Sequence, residues 1–104
     1  MERTIKPELL KSELTSKHLI DVRRKNDLDT SAEKIAGATW HDPEQLAQWT
    51  DGLPKDKDIV LYCVRGGGVS NSVVDALQAK GLKACFIEGG IEGWKAAGGA
   101  IVSK

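Results

Sequence analysis

The sequence predicts an α/β fold built on an open sheet. Three observations carry this. Stretches of strand character alternate along the chain with stretches of helical character. Asp58-Ile-Val-Leu-Tyr62 is a nearly continuous apolar run, as expected of a strand buried on both faces in a parallel sheet. From Val69 to Lys80 the apolar residues Val69, Val73 and Leu77 recur every fourth position, with Val74 beside them, as on one face of a helix.

The remaining elements follow in order. Thr4-Ile5 reads as a short first strand. Pro7 suits the first turn of a helix on which Leu10 and Leu14 share a face. His18 to Arg23 reads as a strand with Leu19, Ile20 and Val22 as its apolar content. Arg24 to Glu33 is a charged surface excursion with room for a helical turn, and Ile35 to Trp40 holds a short strand. Asp42 caps a helix whose first turn contains Pro43, Gln45 is placed to complete a capping box, and Leu46 and Trp49 face the core. Asp51-Gly-Leu-Pro54 stops that helix. Gly81 ends the helix that begins at Val69, with Leu82 placed for the contact that accompanies such a cap. Lys83 to Ile87 is a further strand. Gly89-Gly90 turns into a last short helix with Ile91 and Trp94 inward, and Gly98-Gly99 ends it.

Length and composition narrow the possibilities. A chain of 104 residues reads as one domain, residues 1–104, with enough buried surface for a core without staples. Lysine plus arginine equals aspartate plus glutamate at 15 each, so no charge excess points to nucleic acid or to an anionic membrane. No apolar run reaches the roughly 18 residues of a membrane span. The first residues lack an apolar signal core, which points to the cytoplasm. Two cysteines, Cys63 and Cys85, are too few for a disulfide scaffold, although a bridge between them is conceivable. With His18 and His41 they make no metal-binding spacing, and no cofactor is expected. A P-loop and a dinucleotide fingerprint are both absent.

The chemistry concentrates at Tyr62-Cys-Val-Arg-Gly-Gly-Gly-Val-Ser70. Ligands of open α/β sheets sit beyond the carboxyl ends of the strands, and Cys63 stands at that end of the strongest strand. Gly66, Gly67 and Gly68 can take positive φ, which would let successive N–H groups point inward. The helix that follows adds its unpaired amides and its positive end. A thiol in such a cradle is expected to be held as thiolate, and the cradle can hold the terminal sulfur of a persulfide. Arg65 adds charge at the rim. Cys85, mid-strand and without a glycine loop, reads as a small packing residue.

Four segments, in order, resemble the rhodanese family: Ile20-Asp-Val-Arg23, Ile35-Ala-Gly-Ala38, Ile59-Val-Leu-Tyr-Cys-Val-Arg-Gly66, and Ile87-Glu-Gly-Gly-Ile-Glu-Gly-Trp-Lys-Ala-Ala-Gly98. The resemblance implies a five-stranded parallel sheet with helices on both faces. It also implies a sulfurtransferase that moves a sulfane sulfur from a donor such as thiosulfate to a thiol, a cyanide-type nucleophile or a protein acceptor. Cys63 would be the nucleophile and persulfide carrier, and Val64, Arg65, Gly66, Gly67, Gly68 and Val69 the loop that holds the sulfur. A monomer or weak dimer is expected. Asp21 and Arg23 match a motif read as structural, with a solvated strand end as the plain alternative. Gly89, Gly90 and Trp94 are read as turn and core.

The loop departs from the family pattern. Many relatives read C-x-x-G-x-R-S, and the basic position is Gly68 here, with the serine one place later at Ser70. Relatives that act on phosphate or arsenate carry C-x5-R, whose arginine clamps the oxyanion; that position is Val69, which cannot. Side-chain recognition of thiosulfate is therefore thin. Two alternatives stand beside the enzyme: a non-catalytic binding or regulatory module, and a redox thiol with Cys85 as resolver. The basic run Arg23-Arg24-Lys25 is read as solvated.

Overall fold

The computed structural model describes residues 3–65 and 67–103. Its elements are β1 (Thr4–Ile5), α1 (Pro7–Glu13), β2 (Lys17–Asp21), α2 (Lys25–Thr30), β3 (Glu33–Ile35), β4 (Thr39–Trp40), α3 (Leu46–Trp49), β5 (Asp58–Tyr62), α4 (Gly68–Ala79), β6 (Ala84–Ile87), α5 (Gly90–Ala96) and β7 (Ile101–Ser103). Five strands form a parallel sheet in the order β1-β6-β5-β2-β4.

The central strand β5 explains the layering. Successive side chains of a strand point to opposite faces. Ile59 and Leu61 join one apolar cluster, and Val60 and Tyr62 join another. The first cluster is closed by Val73, Val74 and Leu77 of α4, with Leu46 and Trp49 of α3 packed against it. The second is closed by Leu10 of α1 and by Ile91 and Trp94 of α5. Helices thus cover both faces, as the sequence predicts, and the apolar run of β5 is buried on both. Each fully buried aliphatic of this kind is worth about 1.5–3 kcal/mol.

Local chemistry sets the ends of α4. Gly81 takes φ +81°. Its N–H donates to Gln78 O at 3.0 Å, and the Leu82 N–H reaches back to Leu77 O at 3.1 Å. These two bonds are the Schellman pattern, which leaves the helix axis ending cleanly before β6. At the other end the N-cap is Gly67, and it supplies no side-chain cap.

The structure refines the reading in three places. The stretch Ile35 to Trp40 does hold a short strand, β4, and also the last residue of β3. Gly37, at φ +83°, separates them, so that β3 and β4 enter different sheets. β3 pairs antiparallel with β7, Ile35 opposite Ile101, in a two-stranded ribbon that three residues at the chain's end gave no periodicity to foresee. After Asp42 there is only one α-helical turn, flanked by 3-10 turns at Pro43–Gln45 and Thr50–Gly52. Asp42 does cap, its carboxylate accepting from the Glu44 N–H at 2.9 Å. No helix among the described residues is long and apolar enough to cross a membrane.

Candidate active site at the carboxyl end of β5

The strand order creates a crevice. β5 runs on through α4 to β6 on one side, whereas its other neighbour, β2, runs on towards β4 on the opposite side. Loops leaving adjacent strands in opposite directions part above the sheet, which is where ligands of open α/β sheets bind. The two loops at this point are Cys63 to Gly67 after β5, and Val22 to Arg24 after β2.

Cys63 is 7% exposed and sits directly beyond β5. An open cleft of about 420 Å³ is lined by Cys63, Val64, Arg65, Gly67, Gly68 and Val69, with Arg24 and Asp27 on the facing side. The structure therefore brings the expected loop residues together around one space; Gly66 lies outside the described residues. A second cleft of about 330 Å³ adjoins it, sharing Arg24, Gly68 and Val69 and adding Pro43, Leu46 and Val73. Arg24 was read from the sequence as part of a solvated basic run. It is exposed, yet it belongs to the cleft wall. Only the pairing of β2 beside β5 puts it there, and no local pattern signals that.

The cradle keeps the helix terminus expected of it and loses the positive φ expected of Gly67 and Gly68. Gly67 has φ −95° and Gly68 already lies in α4, so neither takes positive φ. The expected helix donors are in place. The Asn71 N–H closes the first turn on Gly67 O at 3.2 Å. The three preceding amides, of Gly68, Val69 and Ser70, have no intrahelical acceptor by geometry, and the capping glycine offers them no side chain. They lie at the positive end of a 12-residue helix. A Cβ at Gly67 or Gly68 would meet nothing within 4 Å, so these glycines serve to leave the cleft open. Ser70 is fully buried, and its Oγ has no hydrogen-bond partner among the described residues.

The loop is braced from behind by α5. Ile91 N–H donates to Cys63 O at 2.9 Å and Glu92 N–H to Val64 O at 3.2 Å. Beside it, Asp21 and Arg23 form a buried pair rather than a solvated strand end. Arg23 Nη2 lies 2.7 Å from Asp21 Oδ2, with side chains 2% and 1% exposed. Arg23 Nε also bonds the same carboxylate, and Nη2 donates to Glu33 O at 2.9 Å. The guanidinium stands 5.7 Å above the Tyr62 ring. Of the basic run, only Arg24 and Lys25 reach solvent.

Cys85 is half-buried against the α1–α5 face of the core and unbridged. Burial pushes its thiol up to about 11, the Lys17 charge opposing only part of this. It pairs in register with Val60, three residues before Cys63. At roughly 3.3 Å per strand residue the two cysteines are about 10 Å apart along the sheet. A disulfide needs Cα atoms within about 7 Å, so neither the bridge nor the resolver role fits.

A family model described as "Rhodanese-like domain" matches residues 6–97. The structure is similar to that of a rhodanese-related protein from Thermoplasma volcanium, with a TM-score of 0.87 and 26% identity, covering 99% of this chain and 100% of that one. It is also similar to the rhodanese-like domain of an Anabaena protein, with a TM-score of 0.83 and 25% identity, covering 100% of this chain and 81% of that one. Among curated proteins, a tRNA sulfurtransferase of Desulfurococcus amylolyticus is 41% identical over 46 residues. That match covers 44% of this chain and 9% of the relative's length.

Proposed function

Because the chain belongs to the rhodanese-like domain family, we propose that it is a sulfurtransferase that carries sulfane sulfur as a Cys63 persulfide. The observation that carries the reading is the placement of Cys63. It lines an open cleft together with Gly68 and Val69 of the first turn of α4, a turn that no described side chain caps.

The chemistry is two displacements at sulfur. The Cys63 thiolate attacks the outer sulfur of thiosulfate. A new S–S bond forms, the donor's S–S bond breaks, and sulfite leaves with the electron pair. The enzyme-bound persulfide anion then gives its terminal sulfur to a nucleophilic acceptor. Cyanide would leave as thiocyanate, and a thiolate would leave as its persulfide; in both cases the Cys63 thiolate is regenerated. The anion persists through both steps, so fixed N–H donors and a helix terminus serve each of them. The attack uses the thiolate form of Cys63, and the mechanism assigns no side chain as a general base. Arg24 and Arg65, on the cleft wall, draw anionic donors towards the sulfur. The name of the Desulfurococcus relative agrees with sulfur transfer, but the shared segment is too small a part of that protein to bring its RNA acceptor with it.

Two displacements through a covalent intermediate give ping-pong kinetics. With thiosulfate and cyanide varied together, double-reciprocal plots should be parallel. Cys63→Ser should abolish turnover and Cys85→Ser should retain it. Intersecting lines, or turnover by Cys63→Ser, would sink the mechanism. An intact fold with no turnover in any form would favour a binding module.

A further inference from the structure

The Gly89-Gly90 turn reads from the sequence as a turn and nothing more. Its packing says otherwise. Gly90 has φ +62°, and a Cβ placed on it would lie 2.5 Å from Cys63 O and 2.6 Å from Val64 O. The same two carbonyls accept from Ile91 N–H and Glu92 N–H. The start of α5 therefore touches the cysteine loop at two consecutive peptide groups, at a distance that only glycine permits.

Those contacts have a consequence on the far side of each peptide. No described peptide bond is cis. In a planar trans peptide the C=O and the following N–H point in opposite directions. Pinning Cys63 O against α5 aims the Val64 N–H away from α5, and pinning Val64 O does the same for the Arg65 N–H. The cleft at Cys63 is lined by the loop, by the first residues of α4 and by α2 with its cap, and by no residue of α5. We propose that Gly90, with the first amides of α5, is the positioning device that turns the Val64 and Arg65 amides into the sulfur cradle. These two donors add to the three of α4, and the positive φ expected of Gly67 and Gly68 is not needed. The inference rests on the reading of Cys63 as an anionic sulfur carrier, but its first readout does not depend on sulfur transfer.

The test uses the Cys85→Ser protein, so that Cys63 is the only thiol. Its alkylation by iodoacetamide is timed at about pH 7 and at about pH 10, where an ordinary thiol is ionised. Gly90→Ala should lower the ratio of the two rates by at least threefold, because misaimed amides stabilise the thiolate less. Gly98→Ala is the control. It sits at φ +79° at the other end of α5, and its Cβ would meet only Lys11 Nζ, at 3.6 Å. It carries similar backbone strain without touching the loop, so it should lower the melting temperature and leave the ratio unchanged. If Gly90→Ala does not fold, Glu92→Pro replaces it. Residue 92 is exposed and in the first turn of α5, and the change replaces the donor to Val64 O with a ring carbon that cannot bond it. A folded Gly90→Ala or Glu92→Pro with the wild-type ratio overturns the proposal, and so does an equal drop in Gly98→Ala. A normal ratio pattern with no sulfur uptake by the parent protein would instead reject sulfur transfer and leave the positioning role standing.

Discussion

Cys63 and Cys85 are one side chain in two surroundings. Cys85 packs into the α1–α5 face of the sheet, where burial raises its thiol and leaves it a poor nucleophile at neutral pH. Cys63 lies past the end of its strand and lines a cleft that the first turn of α4 also lines. Gly68 bears on what that cleft accepts. Related loops carry a basic side chain at this position, and here its Cβ would meet nothing within 4 Å. The Cβ of Gly68→Arg therefore enters open space at the first position of α4. The added guanidinium can pair with the sulfonate end of thiosulfate. We expect kcat/KM for thiosulfate to rise about tenfold, equivalent to about 1.4 kcal/mol of transition-state stabilisation. The rate with a neutral organic persulfide should stay unchanged. An equal change for both donors would mean that the position does not read the donor's charge.

At the scale of elements, the Asp21–Arg23 pair joins parts that are far apart in sequence. It stands at the end of β2, lies against Tyr62 at the end of β5, and ties the Glu33 carbonyl at the start of β3. Trp40 of β4 donates to Arg23 O at 2.8 Å. The strand ends flanking Cys63 are thus locked around one buried ion pair. Removing one partner leaves the other charge buried and alone, which costs about 3–5 kcal/mol, whereas removing both costs much less. Urea denaturation should show Arg23→Met as the less stable protein, and Arg23→Met/Asp21→Asn as a partial recovery. A double variant no more stable than the single one would mean that the pair's neighbours, not its charges, hold this corner.

At the scale of the whole molecule, the site is a product of strand order. The sequence made β5, α4 and the turn at Gly81 legible because each is written locally, in a continuous apolar run, a four-residue spacing and a C-terminal glycine. It also made Cys63 and most of its loop legible, through the abrupt change from buried strand to glycines. Other features depend on contacts between distant segments. Arg24 joins the cleft only because β2 pairs with β5, and the β3–β7 ribbon needs residues 33 and 103 side by side. Gly90 reads locally as a turn, and only the docking of α5 on the loop gives it a second role. The helix terminus was legible, but the positive φ expected of Gly67 and Gly68 is not taken, because α4 begins there. Composition could not show this, since a glycine permits positive φ without requiring it.

The most direct test of the central claim is a mass. The reduced protein is incubated with thiosulfate, desalted and weighed intact, beside Cys63→Ser and Cys85→Ser. The wild type and Cys85→Ser should each gain one sulfur atom, and Cys63→Ser none. Sulfur on Cys63→Ser, or no gain by any form with thiosulfate and then with glutathione persulfide, would contradict the claim.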